Sequence, residues 1–148
     1  MKAKSRSPSI KDFLGTLPEM VRQRLPVRLK KFQAIGPMFS LIKLHYGNRA
    51  VHYEVWVQRR TGKIELGLHF EADPQTNSRY LESLSRRFSE IQSQLGPSVE
   101  PEQWTDSWTR IHQSLPLEAM DEMKADEVAS RLAAMISVLQ PMVEEADR

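Results

Sequence analysis

From Ile10 to Phe32 the apolar residues Phe13, Leu14, Leu17, Met20, Val21, Leu25, Leu29 and Phe32 recur at intervals of three and four, the spacing of one helical face. This predicts two or three short helices over 10–35, with Thr16 and Glu19 as a capping box, Pro18 in a first turn and Pro26 as an interruption. Gly36-Pro37 closes the segment. From Phe39 to Glu71 the period changes to two, and β-branched and aromatic residues accumulate. Strands are predicted near 39–46, 49–59 and 63–72, with turns at Gly47-Asn48 and Thr61-Gly62. Helical spacing returns after Asp73-Pro74, where Tyr80, Leu81, Leu84, Phe88, Ile91 and Leu95 form a stripe that ends at Gly96, giving a helix over 76–95. Residues 97–103 read as a loop and 104–115 as the region of a fourth, poorly alternating strand. Val128, Leu132, Met135, Ile136 and Leu139 mark a last helix over 126–146, which Pro141 kinks or ends.

The strand pattern also predicts a register, because a slip of one residue moves every side chain to the other face. Val51, Tyr53, Val55 and Val57 must share a face with Ile64, Leu66, Leu68 and Phe70. A tight turn at Thr61-Gly62, or a four-residue loop from Arg60 to Lys63, then sets Tyr53 opposite Phe70 and Val55 opposite Leu68, and the turn at Gly47-Asn48 sets Leu44 opposite Val51 and Ile42 opposite Tyr53. The expected fold is α+β: a two-layer sandwich in which a three-stranded antiparallel meander plus a fourth strand packs against helices, preceded by a helical N-terminal segment. Residues 10–148 form one domain, and residues 1–9 read as a disordered tail.

The same register places ionisable residues together on the opposite face. Glu54 falls across from His69, and His52 across from Glu71, with Lys43 alongside. Opposed side chains have Cβ atoms about 5 Å apart, so the pairs can hydrogen-bond, and imidazole with carboxylate can also hold zinc or iron. The plainer reading is a solvated face of cross-strand pairs, with no metal and no cofactor. Trp56 lies on this face near Gly67 and Leu41. The set His52, Glu54, Trp56, His69 and Glu71 is therefore a candidate binding surface, Trp56 being its contact anchor. Glu54, Glu65 and Lys63 come nearest to the carboxylate and lysine set of a metal-dependent nuclease, but no Asp supplies a bridging ligand. His45 and His112 read as isolated. No nucleophile elbow or phosphate-cradling loop is present, and no catalytic residue is assigned.

Composition adds bounds. The chain has 148 residues, 40% hydrophobic and 27% charged, and no Cys, which excludes disulfide scaffolds and thiolate chemistry. It carries no apolar stretch of bilayer-spanning length and no signal-peptide pattern, so the expectation is a cytoplasmic protein without membrane contact. Basic residues crowd the first third and acidic ones the last. Attraction between the two ends is the plainer account, and nucleic-acid contact through Arg22, Arg24, Arg28, Lys30 and Lys31 is the alternative. Arg59, Arg60 and Lys63 form a second basic group at a hairpin tip, and neither group has interleaved aromatics.

The segments IELGLHFE, EIQSQLG, SVEPEQW and WTRI, in that order, resemble a small uncharacterised α+β domain at the C-terminal end of some restriction-endonuclease-like and DNA-defence proteins. The resemblance covers about Leu41 to Ile111 and rests on structural positions such as Ile91, Leu95, Gly96 and Ile111. It implies a link to DNA and transfers no catalytic residue. Three functions follow in order of preference: a non-catalytic interaction module with a protein partner, a nucleic-acid-binding accessory protein, and a metal-dependent hydrolase using the His and Glu face. Oligomeric state is left open.

Overall fold

The computed structural model describes residues 8–148; the tail expected over 1–9 therefore lies outside the described residues up to Ser7, while Ser9 already caps the first helix. The chain is α+β, with a six-stranded antiparallel sheet and four helices, two strands more than expected. In chain order these are α1 (Ile10–Gln23), β1 (Gln33–Met38), β2 (Leu41–His45), β3 (Val51–Gln58), β4 (Lys63–Phe70), α2 (Pro74–Ser85), α3 (Phe88–Leu95), β5 (Glu100–Gln103), β6 (Thr109–Pro116) and α4 (Glu122–Ala146). The strands lie in the order β1-β2-β3-β4-β6-β5.

The N-terminal segment is one helix, not two or three, and it ends at residue 23. A 3-10 turn (Val27–Leu29) follows Pro26, and residues 33–38 are the edge strand β1. α1 runs through Pro18, and Thr16 Oγ1 donates to the Phe13 carbonyl instead of capping. Phe13, Leu14, Leu17 and Val21 are all buried along α1, so packing outweighs the hydrogen bond that proline cannot donate. α4 passes Pro141 for the same reason, with Leu139, Met142 and Val143 buried around it. Asp73 caps α2 by accepting from the Thr76 N–H at 3.0 Å. The expected 76–95 helix is divided near Arg86-Arg87; the Arg87 guanidinium reaches Glu90 (2.7 Å) on α3 and Glu145 (2.8 Å) on α4. Both unexpected strands are edges that contain proline, Pro37 in β1 and Pro101 in β5, which a ladder tolerates only where an N–H faces outward or at an irregularity.

The register differs from expectation by two residues at both hairpins. Tyr53 faces Leu68 and Leu44, Val55 faces Leu66 and Ile42, and Val57 faces Ile64. Each turn is centred one residue away from the expected point, between 48 and 49 in the first hairpin and between 60 and 61 in the second, where residues 59–62 join β3 to β4. Residues 46–50 join β2 to β3, and Asn48 closes that loop by accepting from the Ala50 N–H (3.0 Å) with its side chain and from the Val51 N–H (3.1 Å) with its carbonyl. Because the slip is even, facial sorting survives it. Ile42, Leu44, Tyr53, Val55, Leu66, Leu68 and Ile111 join the buried residues of all four helices in one core. Inside that core the Tyr53 hydroxyl donates to Gln140 Oε1 of α4 at 3.1 Å.

Candidate functional site: a histidine and glutamate box

The face opposite the core carries all four histidines of the chain, arranged in cross-strand rows. One row runs His45, His52, His69, Arg110 and Glu102 from β2 to β5; the next runs Lys43, Glu54, Gly67, His112 and Glu100. His45 and His112 are thus not isolated. The solvated face expected here is instead buried, with His52 only 1%, His69 3% and Glu54 5% exposed.

Two features cover it. At Gly67 the sheet curls: a Cβ there would lie 2.3 Å from the Ile111 carbonyl oxygen and 2.7 Å from His112 Cα, so β6 leans over this face where a side chain would stand. Trp104, just after β5, then packs edge-to-face with the His69 ring, the ring centres 5.3 Å apart, with the Arg110 guanidinium 4.8 Å from the centre of the indole. Arg110 is held by Glu65 (3.2 Å) and Glu102 (2.8 Å). On the other side, the 46–50 loop brings the Arg49 carbonyl to His52 Nδ1 at 2.9 Å.

The slipped register changes how the four central groups meet. His52 faces His69, their rings stacked at 5.4 Å, and the carboxylates approach along the strands. His52 Nε2 lies 3.2 Å from Glu54 Oε1 and 3.8 Å from Glu71 Oε2. His69 Nδ1 is 3.2 Å from Glu71 Oε2, and its Nε2 is 3.8 Å from Glu54 Oε2. One ligand atom from each of the four residues lies within 4.8 Å of every other. Lys43 Nζ is 3.9 Å from Glu71 Oε1. Trp56, opposite Leu41 and Glu65, is half-buried at the next row and outside this box.

Elementary hydrogen-bond chemistry restricts what the box holds. A carbonyl oxygen only accepts, so His52 Nδ1 carries a proton toward Arg49, and Nε2 is directed at carboxylate oxygens. Nε2 therefore either bears a second proton or presents its lone pair to a cation shared with the carboxylates. Burial pushes the Glu54 carboxyl up, but its hydrogen bond from His52 and the charges of His69, His52 and Lys43 outweigh that and hold it below the ordinary value. Glu54 is thus an anion inside the protein and needs positive charge beside it. Tetrahedral zinc, with bonds of about 2.0–2.2 Å to nitrogen and oxygen, sets neighbouring ligand atoms about 3.3–3.6 Å apart. His52 Nε2 to Glu54 Oε1, at 3.2 Å, comes near that spacing; His69 turns a different nitrogen to each carboxylate, and with one atom from each residue the four lie within 4.8 Å, so they would have to draw in to close on one ion.

Further along this face are buried polar atoms without partners: His45 Nε2, Trp104 Nε1 and both ring nitrogens of His112. Burial first, then Arg110, holds the His112 imidazole below its ordinary pKa; burial, Arg49 and His52 do the same at His45. Arg110 escaped the sequence reading, and His112 read as isolated, because Thr109, Arg110 and Gln113 are all buried and hide the alternation of β6. The N-terminal basic residues form no open patch. Arg22 donates to the Lys30 and Phe32 carbonyls, Arg24 pairs with Asp126 and Arg28 with Glu144 (3.4 Å), while Lys31 is exposed and Lys30 half-buried. Two of these cations, Arg24 and Arg28, thus pair with acidic residues of α4 and dock the segment on it.

Fold and box together define an antiparallel α+β domain with a two-histidine, two-carboxylate cluster on its non-core sheet face. No protein family, curated protein or solved structure matches the chain. Among the described residues, no helix is long and apolar enough to cross a membrane.

Proposed function

We propose that the protein is a non-catalytic module, a two-layer α/β sandwich in which His52, Glu54, His69 and Glu71 hold one divalent transition-metal ion. Zinc is the ion the donor set favours, since imidazole with carboxylate suits it and the chain has no thiolate to select a softer metal. The reading is carried by one observation: His52 donates Nδ1–H to a backbone carbonyl and aims Nε2 at two carboxylates, the outer hydrogen bond typical of a metal-bound histidine. Charge balance supports it, because a divalent cation neutralises the buried Glu54 and the half-buried Glu71. Four protein ligands fill a tetrahedral sphere and leave no position for substrate, which argues for a structural centre over a hydrolase.

The test is metal content of the purified protein, with melting in zinc and in a chelator. We expect one ion per chain. At metal 100-fold above Kd the stabilisation is about 2.7 kcal/mol, or a Tm higher by about 5–10 °C for a domain of this size. Glu54→Gln and His69→Gln should abolish that difference. Metal-free protein whose Tm ignores both zinc and chelator would mean that protons balance the carboxylates, and the reading would fall.

A further inference from the structure

The opposite end of β3 carries a surface that the box does not use. The turn at Phe39-Ser40 and the 59–62 loop emerge together, tied by the Val57 N–H donating to the Ser40 carbonyl at 2.9 Å. Phe39 is 89% exposed and Met38 44%. Phe39 and Ser40 both hold left-handed dihedrals (φ +48° and +69°), as the two central residues of a primed hairpin turn between the paired Met38 and Leu41 require. Phe39, Met38, Pro37, Ile10, Lys11 and Arg59 line a cleft that includes no carboxylate. Lys11, Arg59, Arg60 and Lys63 are exposed, and no ion pair engages them among the described residues, unlike Arg22, Arg24 and Arg28.

The hairpin-tip basic group of the sequence thus acquires, from a residue twenty positions away, the aromatic ring it lacked. We infer that this end of the sheet binds single-stranded nucleic acid, with a base stacked on Phe39 and phosphates on Lys11, Arg59, Arg60 and Lys63. Unpaired charge of one sign around an exposed ring is the pairing of backbone track and stacking platform that such strands require. A lone protruding ring reaches a base only where the base is unpaired, which selects a single strand over a duplex. Two apolar side chains are too few for stable membrane anchoring. The surface lies five residues along β3 from Glu54, roughly 17 Å away, so the inference stands apart from the metal proposal.

The experiment is fluorescence anisotropy of a fluorescein-labelled 15-nucleotide oligothymidylate across a salt series, with the matching duplex and phosphatidylserine vesicles as competitors. Four phosphate contacts give a log K against log salt slope of about −2.8, and Arg59→Glu with Arg60→Glu should halve it to about −1.4. Phe39→Ser should weaken binding about tenfold and leave the slope unchanged. Lys31→Glu, on the N-terminal segment, should change neither. No binding at low salt, equal affinity for the duplex, preference for vesicles, or indifference to Phe39→Ser would each overturn the inference.

Discussion

Replacing Gly67 with alanine tests why the second sheet face is buried at all. The added Cβ would stand 2.3 Å from the Ile111 oxygen, 2.7 Å from His112 Cα and 2.8 Å from His112 Cβ. Ordinary carbon contacts begin near 3.5 Å, so β6 must retreat by about 1 Å. The nearest obstacles are backbone atoms, which cannot rotate aside as a side-chain tip would. The retreat occurs mid-ladder, where β4 and β6 pair from Lys63↔Pro116 to Phe70↔Thr109. Forcing a methyl into packed space costs about 1–3 kcal/mol, and loosening a ladder bond adds about 1 kcal/mol. The expected loss is about 3 kcal/mol, which lowers Tm by about 6–12 °C for a domain of this size. Far-ultraviolet circular dichroism melts in chelator measure it. Near-ultraviolet spectra should change as well, because β6 carries Arg110, which sits over Trp104. A Tm within about 2 °C of wild type would show that β6 does not lean over the face as described, and the account of its burial would fail with it.

Two further perturbations bear on the buried polar groups. Tyr53→Phe strands the Gln140 carbonyl in the core and should cost about 2 kcal/mol, seen as a lower urea midpoint with unchanged slope; an unchanged midpoint would refute the bond's contribution. Burial and Arg110 lower the His112 pKa, with His69 adding to them and Glu102 and Glu65 opposing, so the unfolded chain takes this proton first as the solution is acidified. The stability His112 contributes is complete above its ordinary pKa of 6.5 and is lost as pH falls from there toward the folded value. His112→Gln should therefore flatten the decline of Tm between pH 7 and 5 in chelator, whereas parallel wild-type and variant lines would show that His112 does not titrate in this way.

What was legible in the sequence follows from parity, and what was not follows from distance along the chain. A period of two sorts side chains to faces whatever the turn length, provided any slip is even. His52, Glu54, His69 and Glu71 were therefore correctly gathered, although both hairpin registers were two residues off. The slip exchanged a two-by-two block of directly opposed His and Glu for a stacked histidine pair with a carboxylate one row away on either side, enclosed by the burial of this face. Nothing local announces that enclosure. Gly67 reads as a weak strand residue until β6, more than forty residues later, occupies the volume of its absent side chain. Trp104 reads as the first residue of the fourth-strand region, with no assigned contact, until β5 pairs with β6 and brings it onto His69. The edge strands were concealed by their own prolines, which protect an open sheet from further pairing and in doing so erase the pattern by which strands are recognised. Burial of a charged face is therefore a property of the long-range β4 to β6 pairing, and the chemistry of the box is set as much by Gly67 and Trp104 as by the residues that compose it.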